Sequence, residues 1–580
     1  MQAALAGRDS LVVMPTGGGK SLCYQLPALA GKGLVVVVSP LIALMADQLR
    51  RLEEAGVRAS MIASGMAEGH NERALGEIAG GEAQLVLVAP ERFASGAFRA
   101  ALAQRQVALF VVDEAHCVAE WGHDFRPDYL RLHDAIEGLG RPAVMAATAT
   151  ATPRVAREIA TRLDLREWVS VRAGFDRPNI AFDVVSLEGK GAVARKRATL
   201  LGVLREPSAR PAIVYCGTRK DTEEVAQLIA AQGIATVAYH AGLSPGRRAA
   251  GQEAFMNGHA EVVVATNAFG MGVDKADVRT VVHWALPTSL EAYYQEAGRG
   301  GRDGAPARAL LLAARMDLGR LIRFNNQRQT TVADVKAYVA SLRARAAREE
   351  APEATVGHGE LDEHGRVLLS IAERAGAVRL RPGGAAGLLV RPTGEGSTRM
   401  AAAAIKAAKD RGWESYRSIE RYMSAAERCR RAQILAHFGD PSPGRPTGRC
   451  CDVCDPDPQL ARVAAARARR SRPSSSSAPA AGPRAGQAGR APDEDAEPLD
   501  EDAFERLRAW RLSRAEGLPA FRVASNAVLE QILRARPRDE RELLAVKGIG
   551  PAFCEKHGQS LLAELSAIER SDVAVQGGRR

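Results

Sequence analysis

Six short runs in the first 285 residues are apolar along nearly their whole length: Leu34–Val38 (LVVVV), Leu85–Val88, Leu109–Val112, Ala212–Tyr215, Glu261–Ala265 and Thr280–Val282. A strand exposed on one face alternates polar and apolar residues; a continuous apolar run must be covered on both faces, as in a parallel sheet. Stretches of Ala, Leu, Glu and Arg with helical period separate the runs. The chain therefore reads as βαβ units forming open, doubly wound parallel sheets, an α/β fold. So many units exceed one sheet of ordinary size. The pattern predicts two α/β domains, 1–168 and 169–317, dividing between Trp168 and Arg177.

One strand-like run, Leu11–Val13, leads directly into MPTGGGKS and then a helical segment. Consecutive glycines let backbone N–H groups turn inward around an anion, and a helix N-terminus adds partial positive charge. Thr16, Gly17, Gly18 and Gly19 would cradle ATP phosphates. Lys20 would reach the β and γ phosphates, and the Ser21 hydroxyl would bind Mg²⁺. Downstream, Leu109–Val112 ends in Asp113-Glu114-Ala115-His116. An Asp at that strand end holds Mg²⁺, and the adjacent Glu polarises water for attack on the γ-phosphate. Phosphate loop and acidic pair together predict an NTPase.

The 580 residues carry a net charge of +11, a balance that favours a polyanionic partner, nucleic acid first. The longest apolar stretch, around Leu34 to Ala46, is broken by Ser39-Pro40 and is too short to span a bilayer. The opening MQAALAGRDS is read as no secretory leader. Cys23, Cys117, Cys216 and Cys554 are scattered, which excludes a secreted disulfide scaffold. The other four of the eight Cys crowd between Cys429 and Cys454, which suggests a metal.

MPTGGGKS, SPLIALMADQ, DEAHC, WGHDFRP and TATAT, in that order, closely resemble the RecQ family of superfamily 2 DNA helicases. The resemblance implies two RecA-like domains, hydrolysis of ATP, and 3′-5′ translocation on single-stranded DNA with duplex unwinding in recombination and repair. It also implies a bacterial cytoplasmic, nucleoid-associated location, with single-stranded and forked or branched DNA as partner and no membrane. The run VAEWGHDFRP after DEAHC is the most specific match. Aromatic faces stack on unpaired bases of any sequence, and Arg adds phosphate and cation–π contacts. By resemblance, His116, Trp121, His123, Phe125 and Arg126 couple DNA binding to hydrolysis. ATNAFGMGVDKADVR and YYQEAGRGGRDG continue the match. They imply catalytic roles for Gln295, Arg299 and Arg302, with Arg302 the arginine finger, and nucleotide sensing by Gly272 and Asp274.

Beyond Leu318 the pattern turns helical, and 318–457 reads as a zinc-binding subdomain. RecQ proteins place one Cys on a helix and three in a knuckle, a four-thiolate set for structural Zn²⁺. Here Cys429, Cys450, Cys451 and Cys454 are the candidates, although Cys450 and Cys451 adjoin and Gly448 stands where a Cys is common. A water, Asp452 or His437 would complete the shell if both neighbours did not bind. Residues 352–412, helix then two strands then helix, are longer than the family needs and read as a winged-helix-like element or an unrelated insert. Residues 458–497 collapse into Ala, Arg, Ser, Pro and Gly, the composition of a disordered linker. Residues 498–570 resemble the HRDC domain, a small all-α bundle in which Val546–Pro551 would present backbone amides to a phosphate.

Family members carry a Gln upstream of the phosphate loop that reads adenine, whereas only MQAALAGRD precedes the first strand here. Gln2 stands too close to that strand to serve, so the expectation is a truncated start with weak ATP binding and poor discrimination against GTP. Two rival functions remain at this point: a DNA-stimulated ATPase that remodels or anneals strands without unwinding, and a DNA-binding paralogue impaired by the missing motif.

Overall fold

A computed structural model of the chain describes all residues except 16–17, 41, 120–128, 130–131, 188, 190, 271–274, 328–329, 358–359, 383–387, 395, 426, 443, 461–499, 515–522, 525, 547–548, 551–552 and 578–580. The chain divides into two compact units, Met1–Ser474 and Ser475–Arg580. No helix among the described residues is long and apolar enough to cross a membrane.

The first sheet is built from β1 (Ser10–Val13), β2 (Leu34–Val38), β3 (Ala59–Ile62), β4 (Leu85–Val88), β5 (Val107–Val112), β6 (Ala143–Thr148) and β7 (Val169–Arg172). They lie parallel in the order β3-β4-β2-β5-β6-β1-β7. Every residue of β1, β2 and β4 is buried, which explains their unbroken apolar runs. The order places the C-terminal ends of β5, β6 and β1 side by side, where an open α/β sheet binds ligands. Helix α1 (Leu22–Leu29) follows β1, and α2 (Pro153–Arg162) follows β6. Asp9 anchors the start of β1. Its buried carboxylate accepts from Val144 N at 2.8 Å and Arg166 N at 2.7 Å, and pairs with Arg141 at 2.7 Å.

The domain boundary expected at 168 moves, because β7 pairs with β1 from Ser10↔Val169 to Val13↔Arg172. Edge strand VSVR is mostly exposed and gives no apolar run to read. The second sheet holds β8 (Ile180–Leu187), β9 (Ala212–Tyr215), β10 (Thr236–Tyr239), β11 (Val262–Ala265), β12 (Thr280–His283) and β13 (Ala307–Ala314). These are also parallel, in the order β10-β11-β9-β12-β13-β8. Helix α3 (Leu290–Ala297) follows β12.

Next come α4 (Val332–Arg348), β14 (Ala354–Val356), α5 (Glu363–Arg374), β15 (Val378–Pro382), β16 (Leu388–Pro392) and α6 (Thr398–Ser424). The insert expected over 352–412 is therefore larger, since Val335, Val339 and Leu342 of α4 share its core with Leu369, Ile371, Val390 and Ala404. It also has a third strand: β14, too short to read from sequence, completes an antiparallel sheet β14-β16-β15. Helix α6 is 27 residues long, about 40 Å at 1.5 Å per residue. Ala401 and Ala404 at its start pack into the insert, while Ile419, Tyr422 and Met423 at its end join the core that also holds Phe182 and Tyr293. One rigid rod thus joins two cores. Helix α7 (Arg430–His437) leads to the cysteine knuckle.

In the second unit, α8 (Glu501–Ser513), α9 (Asn526–Ala535), α10 (Glu540–Ala545) and α11 (Gln559–Gly577) form a bundle. Leu507, Trp510, Leu529, Ile532, Leu543 and Leu561 make its core, and Trp510 Nε1 donates to Ser560 Oγ at 2.7 Å. Part of the Val546–Pro551 turn lies outside the described residues.

Candidate active site and metal centre

The phosphate loop leaves β1 at the sheet edge, where Met14 N donates to Thr148 O at 3.1 Å. Gly19 takes φ +81°, a left-handed conformation that favours glycine and turns the chain into α1. Lys20 and Ser21 stand immediately before that helix. Thr16 and Gly17 lie outside the described residues; Gly18, Gly19, Lys20 and Ser21 are described.

Asp113 follows β5 and is buried. The N–H of Glu114 donates to Asp113 Oδ1 at 3.0 Å, and the Tyr129 hydroxyl donates to the Asp113 carbonyl at 3.1 Å. Glu114 itself sits at φ +47°, strained for a residue with a side chain. Burial, reinforced by the Glu114 carboxylate, pushes Asp113 up to about 6. Glu114 behaves oppositely: burial pushes it up, but Lys20, His116 and Arg299 together hold it below the usual carboxylate range. Burial opposes ionisation of both adjacent carboxyls, and the charge of Lys20 favours it in both. His116 Nδ1 lies 3.2 Å from Glu114 Oε2 and 3.0 Å from Thr148 Oγ1, so it joins the acidic turn to TATAT.

The second domain faces this pair with the loop after α3. Arg299 is buried and its charge reaches Glu114, whereas both Arg299 and Arg302 act on the phenol of Tyr215. The GRGGR loop is pinned from below by residues with no motif to betray them. Arg177 donates to the carbonyls of Gly298 at 2.6 Å and Gly300 at 2.8 Å, and Asn179 Nδ2 to those of Gly301 at 2.7 Å and Ala305 at 2.8 Å. A Cβ on Gly301 would meet Asn179 at 2.4 Å, so only glycine allows that approach. A cavity of about 680 Å³ between the domains brings His116, Thr150 and Gln295 to one wall system. Trp121, His123, Phe125, Arg126, Gly272 and Asp274 lie outside the described residues.

The four cysteines gather as one group, with all Sγ atoms within 4.8 Å of one another and Cys429 and Cys450 at 3.7 Å. Four thiolates around Zn²⁺ at 2.3 Å stand ~3.8 Å apart, so the donor set fits a closed structural zinc site. Cys429 caps α7; burial opposes its ionisation, but the N–H of Ala432 and neighbouring thiols lower its pKa. The alternative ligands are engaged elsewhere: Asp452 pairs with Arg430 at 3.1 Å and His437 with Glu291 at 2.7 Å. Sequence reasoning missed the two buried arginines beside Cys429. Arg430 clasps Asp452, while Arg431 pairs with Asp176 and donates to the carbonyls of Arg177 at 2.8 Å and Ile180 at 2.6 Å. The knuckle also docks on β8, where Phe182 N donates to Cys450 O at 3.1 Å.

Four family descriptions match in series: DEAD/DEAH box helicase over 1–159, helicase conserved C-terminal domain over 195–304, RecQ zinc-binding over 396–455, and HRDC domain over 500–565. The ATP-dependent DNA helicase RecQ of Haemophilus influenzae is 40% identical over 311 residues, 54% of this chain and 49% of that protein. The Bacillus subtilis protein of the same name is 40% identical over 54% of this chain and 52% of its own length. The probable ATP-dependent DNA helicase RecS of Bacillus subtilis is 39% identical over 340 residues, 58% of this chain and 67% of that protein. The matched region thus spans about half the length of the two RecQ relatives and two thirds of the third. Motif order, paired parallel sheets, the four-cysteine knuckle and this identity converge: the chain belongs to the RecQ family of superfamily 2 helicases.

Proposed function

We propose that this chain is an ATP-dependent DNA helicase of the RecQ type that moves 3′ to 5′ on single-stranded DNA and unwinds duplexes in recombination and repair. The observation that carries the reading is the single electrostatic unit formed by Lys20, Asp113, Glu114 and the Arg299 facing them from the other domain. Lys20 grips the β and γ phosphates of ATP. Ser21 and Asp113 would hold Mg²⁺, which neutralises phosphate charge when bound. Glu114, kept ionised, accepts a hydrogen bond from water and orients it toward the γ-phosphate. Arg302 donates to the phosphoryl oxygens as charge develops, with Arg299 and Gln295 holding that side of the cleft.

His116 touches both Glu114 and Thr148, and it passes the state of the DNA-contacting loop carrying Trp121, His123, Phe125 and Arg126 to the water-orienting carboxylate. Gly272 and Asp274 contribute from the second domain. Zinc on the four cysteines stabilises the knuckle on which the second sheet leans. Acting on DNA, the protein works in the cytoplasm with the nucleoid, on single strands and on forked or branched junctions. The deciding assay compares ATPase and strand separation on duplexes bearing a 3′ or a 5′ single-stranded tail. ATP-dependent unwinding of the 3′-tailed substrate alone is expected. Single-strand-stimulated ATPase with no strand separation on either substrate would replace the helicase with a remodelling ATPase.

A further inference from the structure

Between β7 and β8 the chain passes through Phe175–Ile180, and the zinc-binding region holds that passage at nearly every residue. Phe175 N donates to Asp440 Oδ2 at 2.6 Å, and Arg445 N to Asp176 Oδ2 at 2.8 Å. Thr447 N donates to Pro178 O at 2.9 Å, and Arg431 takes the Asp176 carboxylate and the carbonyls of Arg177 and Ile180. Two side chains of the same passage, Arg177 and Asn179, end instead on carbonyls of Gly298–Ala305. Three of the four residues just before Arg302 are glycines, Gly298, Gly300 and Gly301, and glycine has the widest backbone freedom of any residue. A guanidinium carried on such a run has no fixed origin unless its peptide planes are restrained from outside.

We propose that Arg177 is a positioning residue for ATP hydrolysis, fixing the backbone from which Arg299 and Arg302 reach the nucleotide, a role that rests on Arg302 being the arginine finger. The Arg177 fork bonds the carbonyls of Gly298, Gly300 and, at 3.3 Å, Gly301. A carbonyl and the following N–H share one rigid plane. The bond to Gly298 therefore fixes the plane that carries the N–H of Arg299, and the bond to Gly301 fixes that of Arg302. Among the described residues the Arg177 side chain hydrogen-bonds only to these three carbonyls, so it acts through the loop. Burial lowers the proton affinity of its guanidinium, and among the described residues no carboxylate pairs with it. A half-buried cation without a counter-ion costs free energy. A neutral donor such as Asn179 holds a turn without that cost, but only a guanidinium presents a planar fork to several carbonyls at once.

Arg177→Lys keeps the charge but exchanges the fork for a point donor. In the full chain, purified with its zinc and saturated with oligo-thymidine, this variant should lose about tenfold or more in kcat for ATP, since a misplacement of ~1 Å costs on the order of 10²-fold. KM for ATP, oligo-thymidine affinity, zinc content and melting temperature should stay close to the parent's. A double-mutant cycle with Arg302→Lys supplies the readout that a merely structural role would not move. Once the finger guanidinium is gone, the Arg177 change has little left to misplace, so the double variant should lie within about threefold of Arg302→Lys alone. Arg177→Gln, which keeps amide donors and buries no charge, runs the same cycle if Arg177→Lys melts early. An unchanged kcat in a folded Arg177 variant, or losses that multiply in the double variant, overturns the proposal. A parental kcat in Arg302→Lys would instead overturn the arginine-finger reading on which the role of Arg177 stands.

Discussion

Lys20 acts on two carboxyls at once, since its charge lowers the proton affinity of both Asp113 and Glu114, and in the proposed function the nucleotide phosphates are its third partner. Lys20→Ala should therefore abolish ATP hydrolysis while single-stranded DNA binding stays within a few-fold of the parent; substantial DNA-stimulated turnover in the variant would show that another group holds the phosphates. Arg302→Lys should lower kcat by about 10³-fold with little change in KM, the range for losing a transition-state guanidinium. Arg299→Ala should also lower kcat while leaving the acid-side limb of the pH profile in place, because Asp113, pushed up to about 6, sets that limb rather than Glu114, the carboxylate that Arg299 reaches. The proposed catalytic residues stand out in the sequence because each lies in a short motif, Lys20 after β1, Asp113 and Glu114 after β5, and Gln295, Arg299 and Arg302 in and after α3. Their supports do not: Thr148 bonds His116 from 32 residues away, and Arg177 reaches Gly298 across 121. No local pattern signals such partners.

Among the elements, helix α7 and the knuckle carry charges that composition alone would place in solvent. Buried Arg430 and Arg431 need Asp452, Asp176 and backbone carbonyls that only the folded chain assembles. The parallel strands were readable because burial on both faces leaves an uninterrupted apolar run; edge strand β7 and three-residue β14 have none to show. Purified protein should hold about one zinc per chain by elemental analysis, and Cys454→Ser should lose both metal and solubility, since structural zinc supplies folding free energy. Metal-free protein that remains folded and active would refute that role. Glu291 of α3, paired with His437 of α7, joins the two elements. Burial raises its pKa, but His437 and local N–H donors outweigh burial and hold it below the usual carboxylate value. A depressed folded pKa gives stability that is fully present above the unfolded value near 4.5 and is lost as pH falls through the lower folded one. Glu291→Gln should thus lower stability by about 1 kcal/mol near neutrality, with the difference from the parent vanishing in chemical denaturation at acid pH. A difference that persists unchanged in acid would mean the side chain acts by packing alone.

At the scale of the whole molecule, the described cores divide cleanly along the chain. Every buried residue of the bundle core comes from Ala503 to Ile568, and every other core residue from Leu460 or earlier. The linker expected over 458–497 therefore begins later, since Leu460 is buried in the core of the second sheet, and the sequence from 461 on is rich in Ala, Arg, Ser and Pro. Stability in such a chain is a property of each core rather than of the whole, so unfolding is not one two-state event. The bundle, roughly 70 residues, buries a smaller fraction of its surface and should be the weaker unit. Inside the larger unit the opposite holds, because α6 places Ala401 and Ala404 in the insert core and Tyr422 and Met423 in the main one. Insert and motor should therefore melt together. Calorimetry of the full chain should show a small transition for the bundle and a large one for the rest. A fragment ending at Ser474 should reproduce the large transition and keep single-strand-stimulated ATPase within twofold. A substitution inside the insert core, Leu369→Ala, should lower that same large transition rather than split off a third, because a 27-residue helix cannot lose its first turns from one core without loosening its hold on the other. A separate insert transition in that variant would show the helix to be a passive tether, and the insert would then be a module able to move independently of the motor.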